Sequence, residues 1–134
     1  MANEHVLIFE THPAIPMTVS ESVGIEKGSM MTLSDPFTVA ATGANADAIC
    51  GGILKSEKIA SDGEVRAPVY RGGIFRGLAG ENITVGDPLT SHSVANELIV
   101  ADINDENVWG IALETATDTD TFLYELRPTT MQLV

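Results

Sequence analysis

The stretch at residues 49–76, ICGGILKSEKIASDGEVRAPVYRGGIFR, constrains the fold more than any other part of the chain. It reads as an apolar strand, a polar turn, an alternating strand and a glycine-broken strand. Asp62-Gly63 lies between two β-prone runs and is a hairpin signal, because Gly accepts the positive φ of a tight turn. Glu64–Arg71 alternates, with Val65, Ala67 and Val69 on one face and Glu64, Arg66 and Tyr70 on the other. Pro68 inside this run has no N–H to donate to a ladder, which predicts an edge or bulged strand. Gly72-Gly73 then re-aims the chain into Ile74-Phe75-Arg76. The small residues of Ala46–Leu54 tolerate a helical turn, but Gly51-Gly52 disfavours a long helix.

The same grammar of short strands and turns runs through the rest of the chain. Glu26-Lys27-Gly28 and Ser34-Asp35-Pro36 are turns that flank a short strand at Met30–Leu33, and Phe37–Ala41 is β-prone. No segment sustains helical periodicity; the places open to a short helix are near Ala46 and in Asn104–Val108. A chain of 134 residues suits one domain. The expectation is a mainly β fold, a compact sandwich or small barrel, over residues 21–134. Residues 1–20 read as an extended arm. His5–Glu10 has a strand pattern, while Pro13 and Pro16 oppose regular ladder pairing nearby. Val6, Leu7, Ile8 and Phe9 expose too much apolar surface for the arm to stay free, so it must pack on something. An ordinary first strand inside the domain is the alternative.

The second half echoes the first at a spacing of 58 (83 − 25 for the pair Ile25 and Ile83). Gly28 and Gly86, Thr32 and Thr90, Gly52 and Gly110, Ile53 and Ile111, and Asp62 and Asp120 share this spacing. With an indel of one, Val65, Ala67 and Val69 fall on Phe122, Tyr124 and Leu126. The two readings are an internal duplication and convergent turn grammar. Two similar β units pack face to face or close into one barrel.

Charge excludes several functions. Nineteen acidic residues against seven basic ones give a net charge of −12. This argues against a nucleic-acid phosphate backbone or an anionic lipid surface as partner, since both need clustered Lys and Arg. The single cysteine, Cys50, forms no intrachain disulfide; it sits among small apolar residues without a basic neighbour and reads as a buried structural thiol. His5, His12 and His92 lack metal-ligand spacing, and His92 in Ser91-His92-Ser93 reads as a solvated loop residue. Asp118 and Asp120 echo a calcium loop but lack its glycine and terminal glutamate, so turns that end strands are the simpler reading. No phosphate-binding or nucleophile-elbow motif occurs. Trp109 reads as core or subunit interface. No catalytic residue, cofactor or metal is expected. The start of the chain shows no signal peptide, and the expected site of synthesis is the cytoplasm.

Gly52-Ile53-Leu54, the turn at Asp62, Val69-Tyr70-Arg71, Gly73-x-Phe75-Arg76, Ile83 to Leu89 and Trp109 to Glu114 together give a resemblance over residues 23–127. The chain resembles the head decoration, or cement, proteins of tailed bacteriophages, in particular the lambda-like decoration proteins. The resemblance implies a β-rich homotrimer on the outer surface of the expanded head. Its partner would be the major capsid protein, and its role would be to stabilise the shell against internal DNA pressure. It also implies an N-terminal arm that orders on the capsid. The candidate contact residues, toward the capsid or a neighbouring subunit, are His5, Val6, Leu7, Ile8, Phe9 and Ile15. Competing classes are another virion β-domain of tail or baseplate, a carbohydrate-binding module, and a small β-barrel enzyme with an intersubunit site.

Overall fold

The computed structural model describes residues 4–102, 104–105 and 107–130, and among them every regular element is a strand. The strands are β1 (Val6–Phe9), β2 (Ile15–Thr18), β3 (Met30–Ser34), β4 (Thr38–Ala41), β5 (Cys50–Leu54) and β6 (Arg66–Tyr70). They continue as β7 (Gly73–Ala79), β8 (Pro88–Ser91), β9 (Glu97–Val100), β10 (Asn107–Ala112) and β11 (Thr121–Thr130). β2-β4-β3-β5-β6 close into one barrel. β7, β11, β10, β8 and β9 form a sheet that the β7–β9 pairing closes into a second, and β1 adds to β7.

The two barrels share one design. β2 to β6 correspond in order to β7 to β11, with the same neighbours and the same parallel closing pair, β2–β4 and β7–β9. The bridge Ile25–Lys58 recurs as Ile83–Ala116. Gly28 N–H donates to Leu54 O and Gly86 N–H to Ala112 O, both at positive φ. Ser61 and Thr119 repeat another positive-φ position. Met31 pairs with Gly52 as Leu89 pairs with Gly110. These agreements of register are those of a duplicated unit.

Several expectations from sequence change. β6 is neither edge nor bulge: it pairs with β2 and β5. Pro16 does enter a ladder, opposite Pro68. Thr18 N–H points to Phe37 O, away from β6, so the missing N–H of Pro16 two residues earlier also faces away and removes no bond to β6. Val65 precedes β6 and is exposed, while Tyr70 is buried because its face meets the second barrel. The repeat also slips by two in the last strand. Ile53 opposes Tyr70 and Ile111 opposes Glu125, so Ala67 and Val69 correspond to Phe122 and Tyr124. A shift of two keeps the same face inward, which is why the apolar pattern hid it. Of the two segments open to short helices, the one near Ala46 leads into β5, and Asn107 and Val108 of the other belong to β10.

The core has two parts. Met17, Val19, Ile25, Met31, Val39 and Leu54 lie in the cluster of the first barrel. Phe75, Leu89, Leu98, Trp109, Phe122 and Tyr124 lie in the cluster of the second, which also takes in Met30, Cys50, Ile53 and Tyr70 of the first. Trp109 Nε1 donates to Ala48 O at 3.0 Å across the junction. The glycines of the Gly-Ile motifs mark close backbone approach: a Cβ at Gly52 would run into Tyr70 O, and one at Gly110 into Glu125 O. Gly110→Ala is therefore expected to lower stability by about 3 kcal/mol, read as a reduced urea midpoint at unchanged slope.

Candidate functional site

β1 forms because Val6–Phe9 is apolar and β-branched enough to fill a slot on the N-terminal half of β7. Val6 pairs with Arg76, Leu7 with Phe75 and Phe9 with Ile74. The register shift between Leu7 and Phe9 breaks simple alternation. Leu7 packs toward the core, whereas Val6, Ile8 and Phe9 all face out, Phe9 with 63% of its surface exposed. Ile15 belongs to β2 and packs on the first-barrel core. The six residues singled out from sequence thus divide. Val6, Ile8 and Phe9 form one apolar outer strip, while His5, Leu7 and Ile15 hold the strands in place.

His5 fixes the strip. It is 2% exposed. Its Nε2 lies 2.9 Å from the Asn96 carbonyl, which only accepts, so Nε2 carries the proton. The neutral ring then leaves Nδ1 as acceptor for the Tyr124 hydroxyl at 2.6 Å. The His5 N–H donates to Gly28 O of the first barrel at 3.0 Å. Asn96, at a φ of 61°, also accepts the Met30 N–H at 3.0 Å through its side chain. One residue next to β1 is thereby tied to both barrels. Burial lowers the His5 pKa from 6.5 to about 4, opposed by the Asn96 bond, and burial likewise pushes the Tyr124 phenol well up. Sequence reading placed His5 on a contact face and gave Asn96 no role. The cue was long-range and absent from local pattern, because the two ring partners of His5 lie 91 and 119 residues away.

The other candidates are structural. Cys50 is buried and its thiol is pushed far above the usual range by desolvation, so it is held as a thiol rather than a nucleophilic thiolate. His92 is part-buried against Glu97 at 3.1 Å instead of fully solvated. Asp120 accepts from the Thr117 hydroxyl at 2.6 Å and closes its own turn. Asp102 and Asp105 do the same for theirs. Lys58 is buried in the first barrel, donating to Glu21 O, Ile59 O and Asp62 Oδ1; Ala116 stands at its place in the second. Among the described residues no group of three or more His, Cys, Asp or Glu is placed to hold a metal.

Two paired β-barrels with an apolar strand added on the outside define an all-β barrel protein. The chain belongs to the phage cement protein family, which it matches over residues 9–127. That family is a structural one, and membership assigns this protein to the stabilisation and decoration of the phage head and to the virion. A similar solved structure is the N base of head fiber gp8.5 from bacteriophage phi29, with 15% identity over 90% of this chain and 98% of that one and a TM-score of 0.56. At that identity the likeness is one of fold. No curated protein matches the chain.

The buried neutral imidazole gives a pH dependence with a definite sign. The unfolded chain takes up the His5 proton near 6.5 and the folded chain near 4. The stability contributed is complete above 6.5 and is lost as pH falls toward 4, by up to about 3 kcal/mol. His5→Gln is expected to flatten the fall between pH 6.5 and 4 relative to wild type, checked by urea titrations across that range.

Proposed function

We propose that this protein is a capsid decoration protein that binds the outer surface of the expanded head as a homotrimer and braces it against the pressure of packaged DNA. The observation that carries the reading is the outer strip of β1 in a member of the cement family. Val6, Ile8 and Phe9 present apolar side chains on a strand whose paired neighbour, among the described residues, is β7. A strand of this kind offers main-chain groups and an apolar face to a partner, which is the chemistry of strand addition. The partner proposed is the major capsid protein.

The mechanism is mechanical. A shell under internal pressure fails where its subunits separate. A trimer seated across neighbouring subunits opposes that separation, and many copies on a lattice gain by multivalency what a single contact lacks. A net charge of −12 favours an exterior site, away from the genome and free of non-specific nucleic-acid binding. The protein is made in the host cytoplasm and acts without catalysis or cofactor.

Deletion of a long N-terminal segment is a poor test, because Met17 of β2 is fully buried and Ile15 packs beside it. Surface substitutions on β1 are cleaner. Ile8→Asp with Phe9→Asp is expected to leave folding intact and to reduce co-sedimentation with expanded heads at least about tenfold. Undiminished co-sedimentation of a folded double variant would remove β1 from the contact.

A further inference from the structure

The duplication allows each face of one barrel to be compared with its equivalent on the other. Within the chain, one rim of the second barrel seats on the outer wall of the first. The rim consists of the end of β8, the β8–β9 tip and the start of β10. Ser91 Oγ donates to Asn45 O at 2.8 Å and accepts the Ala48 N–H at 2.9 Å. Asn96 accepts from Met30, and Asn107 donates to Asp47 through N at 2.8 Å and Nδ2 at 3.0 Å. The wall is Met30, Cys50, Ile53 and Tyr70, all buried with the second-barrel core.

The equivalent rim on the first barrel is open. The registers put Leu33, Phe37 and Ile49 where the second barrel has Ser91, Asn96 and Asn107. Phe37 and Asn96 even share positive φ, 49° and 61°. Yet Phe37 is 54% and Ile49 53% exposed, and with Leu33, Ser34 and Asp35 they line a depression of about 330 Å³. Three polar residues that bond inside the chain are replaced by three large apolar ones. An aromatic held at positive φ and turned to solvent is costly on both counts, and such residues mark contact surfaces.

The equivalent wall on the second barrel is open as well. Pro88, Val108, Ile111 and Glu125 stand where the first barrel has Met30, Cys50, Ile53 and Tyr70. Pro88, Ile111 and Glu125 are half-buried where their counterparts are buried, while Val108 is buried as Cys50 is. Val108, Ile111 and Glu125 line a groove of about 590 Å³ whose other residues include His12, Arg71 and Arg127.

We propose that the open rim of one copy seats on the open wall of the next, repeating between chains the contact that joins the two barrels within each. The occupant of both surfaces is a second copy of this chain. The pairing is apolar rather than ionic. A chain of net charge −12 repels its copies, so the large apolar side chains of the rim carry the contact; in the groove Arg127 already pairs with Glu125 at 2.8 Å, and Arg71 donates to Cys50 O and Gly51 O. Unlike faces meeting give a head-to-tail contact, which closes into a ring when its rotation permits. Closure at three copies rests on the trimer proposed above; the contact itself rests on the duplication.

The Met30–Asn96 contact fixes the test, because its repeat brings Phe37 of one copy to Pro88 of the next. Phe37→Cys with Pro88→Cys is oxidised both free in solution and on decorated heads, with each single variant as control. Disulfide-linked species up to a trimer, absent from the single variants, are the expected result. In parallel, Phe37→Asp with Ile49→Asp, both at exposed positions, is expected to weaken association at least about tenfold by light scattering. A trimer that survives the aspartates and gives no cross-link in either setting overturns this contact while leaving the trimer standing. A wild-type protein that is monomeric both in solution and on heads overturns both.

Discussion

The structure depends on a strand that is buried on both faces. Every residue of Cys50–Leu54 in β5 is buried. Leu54 points into the first barrel, whereas Cys50 and Ile53 join the core of the second. An isolated barrel would leave this wall as an apolar patch. Seating it on the second barrel turns two small units into one hydrophobic body, and burial of apolar area is the main driving force available to a chain with few large aromatics. Cys50 serves in that wall as a small filler beside Met30, Ile53 and Tyr70. Gly51 and Gly52 are needed because neighbouring strands approach β5 closely: at Gly51 the Val39 side chain and Met31 O would meet a Cβ at 2.8 and 2.9 Å, and at Gly52 Tyr70 O would collide with one.

Much of this was legible in the sequence. The mainly β class followed from short apolar runs, dense turns and the lack of helical periodicity, with sandwich and barrel both left open until strand pairing closed the barrels. The duplication was one of two open readings, marked by glycines and isoleucines at constant spacing, because those residues sit where backbone geometry is tightest and tolerate least drift. What the sequence hid was side-chain destiny beyond one strand. Tyr70 looked like an outward residue of an alternating strand, and the second barrel buries it. Val65 looked inward, and β6 begins after it. His5 looked like a contact residue of an arm, and Tyr124 and Asn96 draw it into the interior. Local pattern reports which face a residue takes, not what comes to cover that face.

Barrels suit the work of a cement protein because closure removes the free strand edges that would otherwise pair indiscriminately. β1 departs from that rule, and it does so at the place where the outward residues are apolar. The anchor beneath it is stiff: a neutral histidine satisfied on both ring nitrogens, with its backbone tied to the opposite barrel. A pre-organised strand loses little freedom when a partner docks, so more of the contact energy reaches the complex. The duplicated architecture adds a second economy. In the contact proposed above, the rim-on-wall arrangement found within the chain would serve again between chains.

The role proposed for this protein is to brace the outside of a phage head through β1 while its barrels face one another around a closed assembly. Cryo-electron microscopy of expanded heads decorated with the wild-type protein distinguishes this role from the alternatives. The expected density lies on the outer surface as three chains, each of two barrels, around a common axis, with the Val6–Phe9 strand against the shell. Density for isolated single chains, for β1 turned away from the shell, or for protein confined to the interior would overturn the proposal.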